Sequence, residues 1–296
     1  MIEITCKFCS SNDTRISNGQ RKVAYDGDLF EFIRCKRCTS YFLVPNLTEM
    51  QLEKLYSSEY IEANDPASDI ERDESRFLDV SAFLHAFNGD STTRFLDYGC
   101  GIDSLPIMTA KSLGFESYGM EYESEIRAIA NKKSEVPIFS KEDFLGSDLT
   151  FDVIFLGDVI EHLVEPQADL AQISNKLRSG GVIYIQGPLQ GSGTLLHAVV
   201  RVLAYFTKNR LSNYPPYHVN LFSLNGMKLL IESCGLEVQS VRITETDWPA
   251  KSLKQLKSDF SLRSAFLFLL KFIDKTLSKF LKHYGTRISM VCNKRK

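Results

Sequence analysis

From Arg94 onward, short apolar runs alternate with stretches whose apolar residues recur every three or four positions. The runs RFLDY (94–98), SYGME (117–121), PIF (137–139), DVIFLG (152–157), VIYIQG (182–187), LEVQSVRI (236–243) and TRISMVC (286–292) predict strands. Helical patterns fall near 103–113, 123–133, 166–178 and 223–234. Runs that are apolar on both alternate sets of positions suit strands covered on both faces. Their alternation with helices predicts a parallel sheet of the α/β class. No self-similar period is present, so the region is one domain rather than an array.

The residues before this core follow another rhythm. NLTEMQLEKLYSSEYI predicts a short helix capped by Thr48, the charged EANDPASDIERDESR reads as an exposed loop, and a helix is expected over about 74–87. His85 there is a surface or packing residue. Two later segments exceed an ordinary connection, 189–217 and 244–285. The expected division is therefore 1–45, a helical linker over 46–92, and a core of 93–296 carrying these two insertions.

Composition changes this picture little, and charge more. With 296 residues, 44% hydrophobic and 24% charged, the chain can bury a core without staples. The net charge of -2 argues against a uniformly basic nucleic-acid binder. Residues 251–296 nevertheless carry 12 Lys or Arg against 2 acidic residues, whereas residues 1–250 carry 23 against 35. An anionic partner would meet the C-terminal segment first. No signal-like start is present, and the apolar stretch 265–273 falls short of the about 20 residues that span a bilayer. A cytoplasmic location is expected.

Cys6, Cys9, Cys35 and Cys38 form two Cys-x2-Cys pairs, the spacing at which two thiolates turn toward one ion. The intervening residues allow a small hairpin or two. Zn2+ held by all four thiolates would have no open position and would be structural, supplying folding energy that so short a segment lacks. Unligated or redox-active thiols and an iron centre are the alternatives. Phe8, Phe30, Phe32, Tyr41 and Phe42 read as the packing of this ribbon. Arg34, Lys36 and Arg37 give only a weak nucleic-acid signal, with Asp26, Asp28 and Glu31 close by.

The first core strand ends in FLDYGCGIDS. Gly99 and Gly101 permit a tight turn and close backbone approach at a helix N-terminus. Glu121 ends the next strand, where a carboxylate can accept both hydroxyls of a ribose. The third glycine of a dinucleotide fingerprint is missing. Asp97 would repel a pyrophosphate and suit a cationic mononucleoside ligand.

These residues resemble the class I S-adenosylmethionine-dependent methyltransferases, and the likeness continues through GMEYE, KEDF, FDVIFLGDVIEHLVEP, LRSGGVIYIQGP and HVNLFSLNGMKLLIESCGLEV. It covers about 93–243, with the last strand at 286–292. It implies a Rossmann-like seven-stranded sheet with helices on both faces, the final strand antiparallel between the fifth and sixth predicted strands. It implies that Asp97, Gly99 and Gly101 line the amino-acid and ribose end of S-adenosyl-L-methionine and that Glu121 holds the ribose hydroxyls. Tyr122 would lie against the adenine, Asp143 would meet its amino group with Phe144 beside the ring, and Asp158 and Val159 would face the methionine portion. The Cys-x2-Cys pairs also look like the zinc-ribbon extension of some bacterial methyltransferases of sugar and surface-glycan pathways.

Methyl transfer needs an acceptor in line with the sulfonium methyl, and a base only where the acceptor loses a proton. His162, just past a central strand end, is the first catalytic candidate, with loop shaping or donor contact by Glu161 and His162 as the competing role. His218, between Tyr214 and Tyr217 on one side and the next helix on the other, is the second. His197 reads as a packing residue, His283 as exposed and Cys100 as a small buried side chain. The basic insertion would suit a phosphate-bearing acceptor such as a nucleotide sugar or a lipid-linked glycan. Over 262–283, Phe266, Leu269, Leu270, Ile273, Leu277, Phe280 and Leu281 share an apolar side and Lys271, Lys275, Lys279 and Lys282 the other. That pattern fits either an anionic membrane surface or a lid packed on its own domain or on a second subunit. The rival from another class is an RNA-binding or scaffold protein on a degenerate methyltransferase core.

Overall fold

The computed structural model describes residues 4–16, 22–56, 70–190, 193–206, 211–212, 215–246 and 261–295. In chain order it begins with strands β1 (Thr14–Ile16), β2 (Lys22–Tyr25), β3 (Asp28–Cys35) and β4 (Tyr41–Val44), then helices α1 (Glu49–Leu55) and α2 (Ile70–Phe87). The core follows as β5 (Arg94–Tyr98), α3 (Leu105–Ser112), β6 (Glu116–Met120), α4 (Ser124–Ser134), β7 (Ile138–Phe139), α5 (Lys141–Gly146), β8 (Phe151–Gly157), α6 (Pro166–Asn175) and β9 (Leu177–Pro188). Then come α7 (Leu195–Phe206), β10 (Leu211–Ser212), β11 (Asn220–Leu221), α8 (Leu224–Ser233), β12 (Leu236–Thr244), α9 (Leu262–Phe280) and β13 (Arg287–Lys294). The chain forms two compact units, one of Met1–Asn46, Gly187–Leu230 and Ser240–Met290, the other of Leu47–Gln186, Ile231–Gln239 and Val291–Lys296.

The expected strands and helices of the core are present within a few residues of their predicted bounds, except that β9 starts at Leu177, inside the stretch expected to end a helix. The sheet order is β12-β13-β9-β8-β5-β6-β7, with β5–β6, β5–β8, β6–β7 and β8–β9 parallel. The last strand in sequence lies between β9 and β12, where the resemblance puts it. This is the seven-stranded Rossmann-like sheet, and its strands are apolar on both faces because helices cover both. Phe95, Val153 and Phe155 are buried from the sheet, against Val80 and Leu84 of α2 and Ile107 of α3. Phe83 of α2 stacks on Tyr184 at a centroid distance of 4.4 Å. Each such side chain removed from water is worth about 1.5–3 kcal/mol.

α1 starts where expected, and Thr48 is its cap. The Thr48 hydroxyl accepts from the Gln51 N–H while the Gln51 side chain accepts from the Thr48 N–H. α2 is longer than expected, because 70–73, read as loop, form its first turn. The rest of that expected loop, 62–69, lies outside the described residues.

In the other unit, β2 and β3 form a hairpin through Asp26-Gly27, both at positive φ (49° and 84°), the turn chemistry that matches strand twist. A second hairpin joins β3 to β4, and β1 pairs with β3. The sheet runs β10-β2-β3-β4-β11. Its outer strands β10 and β11 come from residues 211–221, so part of the first expected insertion completes the cysteine-bearing sheet. Phe8, Phe42 and Phe222 bury one cluster, with Phe8 5.8 Å from Phe42 and 4.7 Å from Phe222 between ring centroids. The Ser223 N–H donates to Ser40 Oγ at 2.9 Å.

Candidate functional site

The glycine loop leaves the end of β5. Gly99 and Gly101 have φ of +78° and +60°, and the Gly99 N–H donates to the Met120 carbonyl at 2.8 Å. A Cβ on Gly99 would meet Val159 Cγ2 at 2.6 Å, whereas one on Gly101 would meet nothing within 4 Å. Gly99 is thus required by both its dihedral and its neighbour, and Gly101 by its dihedral beside open space. Here the loop and Val159 are brought into contact.

Glu121 follows β6 and is tied back to this loop. Its Oε2 accepts from the Gly101 N–H at 2.9 Å, and its Oε1 accepts from the N–H groups of Tyr122 (2.8 Å) and Glu123 (3.3 Å). Glu123 in turn caps α4 through the Ile126 N–H. Asp97 is buried at the end of β5. Burial, with the Glu121 charge second, pushes its carboxyl up to about 8, and burial also raises Glu121. Two carboxyl groups that resist ionisation together form a pocket edge that gains from a cation. That is the electrostatic demand a sulfonium and an α-ammonium would meet, and the cradle at Gly101 leaves backbone space for it.

Tyr122, 44% exposed, stands beside Glu121 with its ring accessible. Asp143 is exposed in the first turn of α5, where its N–H and Oδ2 both bond the Ser140 hydroxyl. Phe144 is fully buried, with its ring edge-on to Tyr98 at 5.5 Å and tilted on Phe151 at 6.2 Å. Its packing partners are aromatic side chains of the core.

Past β8, Asp158 turns the chain at φ +55°, its N–H bonded to the Gln186 carbonyl. The His162 N–H closes the next turn onto the Val159 carbonyl. Glu161 is fully buried, and its Oε1 lies 3.9 Å from His162 Nε2. His162 Nδ1 is 2.9 Å from the Tyr56 hydroxyl, and the two rings meet edge to face. Tyr56 caps the C-terminus of α1. Sequence reasoning passed it by, because a tyrosine at the end of a short helix carries no periodic signal.

His218 belongs to the other compact unit, half-buried, with Nδ1 2.9 Å from Gln190 Nε2. Tyr217 is half-buried beside it, and Tyr214 lies outside the described residues. His197 bonds Thr194 and His283 is exposed, as expected of both.

The four Sγ atoms of Cys6, Cys9, Cys35 and Cys38 lie within 4.8 Å of one another, with Cys6–Cys38 at 3.7 Å and Cys9–Cys35 at 3.6 Å. Thiolates about 2.3 Å from a tetrahedral centre are about 3.8 Å apart, so the cluster fits zinc. The Cys6 contact pushes Cys38 down to about 5, while Cys6 is raised well above the thiol range chiefly by that same contact.

A family model described as a methyltransferase domain matches residues 70–241. No curated protein matches the chain. Among solved structures, magnesium protoporphyrin IX methyltransferase from Synechocystis PCC 6803 with bound SAH is similar, with a TM-score of 0.53 at 14% identity over 83% of this chain and all of that one. Its SAM-bound form aligns with a TM-score of 0.50 at 13% identity over 84% and 99%. A chain from the complex of the Haloferax volcanii Trm112 methyltransferase activator aligns with a TM-score of 0.53 at 12% identity, covering 81% of this chain and 98% of that one. The matched family segment spans the glycine loop, Glu121, Asp158 and His162, and covers more than half of the sequence. The chain therefore belongs to the methyltransferase-domain family and is a class I S-adenosylmethionine-dependent methyltransferase.

Proposed function

We propose that the protein methylates a small or glycan-type acceptor, with nucleotide sugars and lipid-linked glycans as the first class to try. S-adenosyl-L-methionine supplies a methyl group on a positively charged sulfur. The single observation that carries the donor reading is the Asp97–Glu121 pair around the glycine loop, whose raised carboxyls favour a cationic guest. In this reading Glu121, oriented by three backbone amides, accepts the ribose hydroxyls on its remaining lone pairs. Asp97, Gly99, Gly101, Asp158 and Val159 shape the amino-acid end. Tyr122 and Asp143 meet the adenine, and Phe144 supports that surface from within the core.

His162 is the proposed base for an acceptor that must lose a proton. In the tautomer whose Nδ1–H donates to Tyr56 Oη, Nε2 carries the lone pair a base needs. His218, held by Gln190, is the second candidate. The excess of cations in 251–296 supports an acceptor bearing phosphate. Zn2+ on the four cysteines would be structural: four thiolates leave no open position, and the site binds together β3, the turn after it and the N-terminal knuckle.

Calorimetric titration with S-adenosyl-L-methionine and its demethylated product tests the donor site. Glu121→Ala is expected to weaken both by about two orders of magnitude, the loss of hydrogen bonds to a charged acceptor. Unchanged affinity in this variant would remove Glu121 from the site. Transfer assays with nucleotide sugars and lipid-linked glycans test the acceptor. Activity confined to uncharged metabolites or protein would overturn the phosphate-bearing class.

A further inference from the structure

Helix α9 is turned inside out. Its inward side carries Ser264, Leu270, Lys271 and Asp274, all buried. Its outward side carries Leu262 at 83% exposure, Phe272 at 62% and Phe280 at 80%, with Phe266 and Leu269 about half exposed. α7 packs beside α9 and adds exposed Val202 and Leu203. Lys271, expected on the outer basic side, is instead buried as an ion pair with Glu245, whose Oε1 also accepts from Thr286 Oγ1 at 3.2 Å.

The polar side is fastened. Asp274 accepts the Leu195 N–H at 2.9 Å and the Leu196 N–H at 3.0 Å, capping α7, and the Tyr284 hydroxyl donates to it as well. Rolling α9 to hide its phenylalanines would strip Lys271 and Asp274 of these partners and leave charges buried without compensation. The apolar face is therefore committed outward. A row of this kind on a soluble surface marks a contact with something apolar.

Charge says what covers it. Every charged side chain of 262–282 that reaches solvent is cationic: Arg263, Lys275, Lys279 and Lys282. A second copy presenting the same face would bring these cations together, whereas anionic headgroups would complement them. No helix among the described residues is long and apolar enough to cross a membrane, and an apolar face flanked by cations suits the plane of the interface. We propose that the outward face of α7 and α9 docks the protein on an anionic lipid bilayer, with the phenylalanines in the acyl boundary and the flanking cations at the headgroups. This inference stands apart from the methyl-transfer reading.

The test is vesicle flotation of the full zinc-loaded chain with phosphatidylcholine alone and with about one-third phosphatidylglycerol. Binding is expected only to the anionic vesicles and should fall with added salt. Phe266→Ser with Phe272→Ser should lower it at least about tenfold, and Lys275→Glu with Lys279→Glu should abolish the lipid selectivity. Circular dichroism and thermal melting check that both variants remain folded, since the altered side chains point outward. Equal binding by the phenylalanine variant would overturn the proposal, as would absence of binding to anionic vesicles. Self-association of the wild type that these substitutions disrupt, without vesicle binding, would also overturn it and assign the face to a second copy.

Discussion

The two sheets of this protein are built on opposite principles. The seven-stranded sheet is made of consecutive apolar runs, and its stability resides in side chains such as Phe95, Ile154 and Ile185, all fully buried. The cysteine-bearing sheet gathers short strands from residues 14–44 and 211–221, and its centre is four thiols and one phenylalanine cluster. Apolar burial is spread over many residues, so the first sheet tolerates small losses. The second concentrates its cohesion in a few groups and should fail abruptly.

The largest effect should therefore come from Cys38→Ser. If the four thiols hold zinc as proposed, the variant loses a site worth about 10 kcal/mol or more in small modules, and with it the cooperative melting of the cysteine-bearing sheet. Calorimetric melting with metal analysis reads this, and donor binding should persist because the glycine loop lies in the other unit. Loss of donor binding along with the metal would break the contrast.

Gly99→Ala tests the opposite unit, combining left-handed strain of about 1–3 kcal/mol with the clash against Val159 Cγ2. Donor affinity should fall, and adding Val159→Ala should restore part of it while the dihedral strain remains. A full recovery would show that the dihedral costs nothing.

Asp97 makes the loop pH-sensitive. Its folded-state carboxyl lies above the ordinary range, at about 8, so ionising it costs stability in the free protein. Stability from this group is whole at low pH and declines as pH rises from the ordinary carboxylate range through about 8. Affinity for a cationic donor should move the other way, rising by up to about tenfold per pH unit below 8 and then levelling. Asp97→Asn should flatten both curves, and titration over pH 6–9 checks them.

The smallest effect is expected from Tyr56→Phe, which removes one hydrogen bond to His162, worth about 0.5–1.5 kcal/mol. If His162 is the base, kcat should fall up to about tenfold with a shifted pH profile while the donor affinity stays unchanged. A change in KM alone would reduce Tyr56 to a packing role.

Much of this was legible beforehand where the signal is local. β5 and β8 are continuous apolar runs, and Thr48 with Gln51 writes a cap in four residues. The paired cysteines state their own geometry. What escaped is non-local. β10 and β11 have two residues each, too few for any periodicity, and they exist because an edge of another sheet awaits them. Amphipathicity in α9 was visible, but a periodic pattern does not say which side faces inward. Buried Lys271 and Asp274 decide that through Glu245, Tyr284 and the start of α7, all distant or unremarkable in sequence. Tyr56 reaches His162 across 106 positions and carries no motif. Phe144 shows the converse: the motif locates it, while only packing reveals that it faces the core.

The bond between Ser40 and Ser223 joins residues 183 positions apart, and β11 closes the edge of β4 across a similar separation. During synthesis the cysteine module emerges well before residues 220–221, so its open strand edge waits until that later segment has left the ribosome. For that interval a newly made module exposes unpaired amides and carbonyls, the surface from which strands recruit neighbouring chains. A fragment ending near residue 46 would be frozen at that stage. It should aggregate even with zinc supplied to its four thiols, which makes the distant segment a guard of solubility as well as a part of the fold.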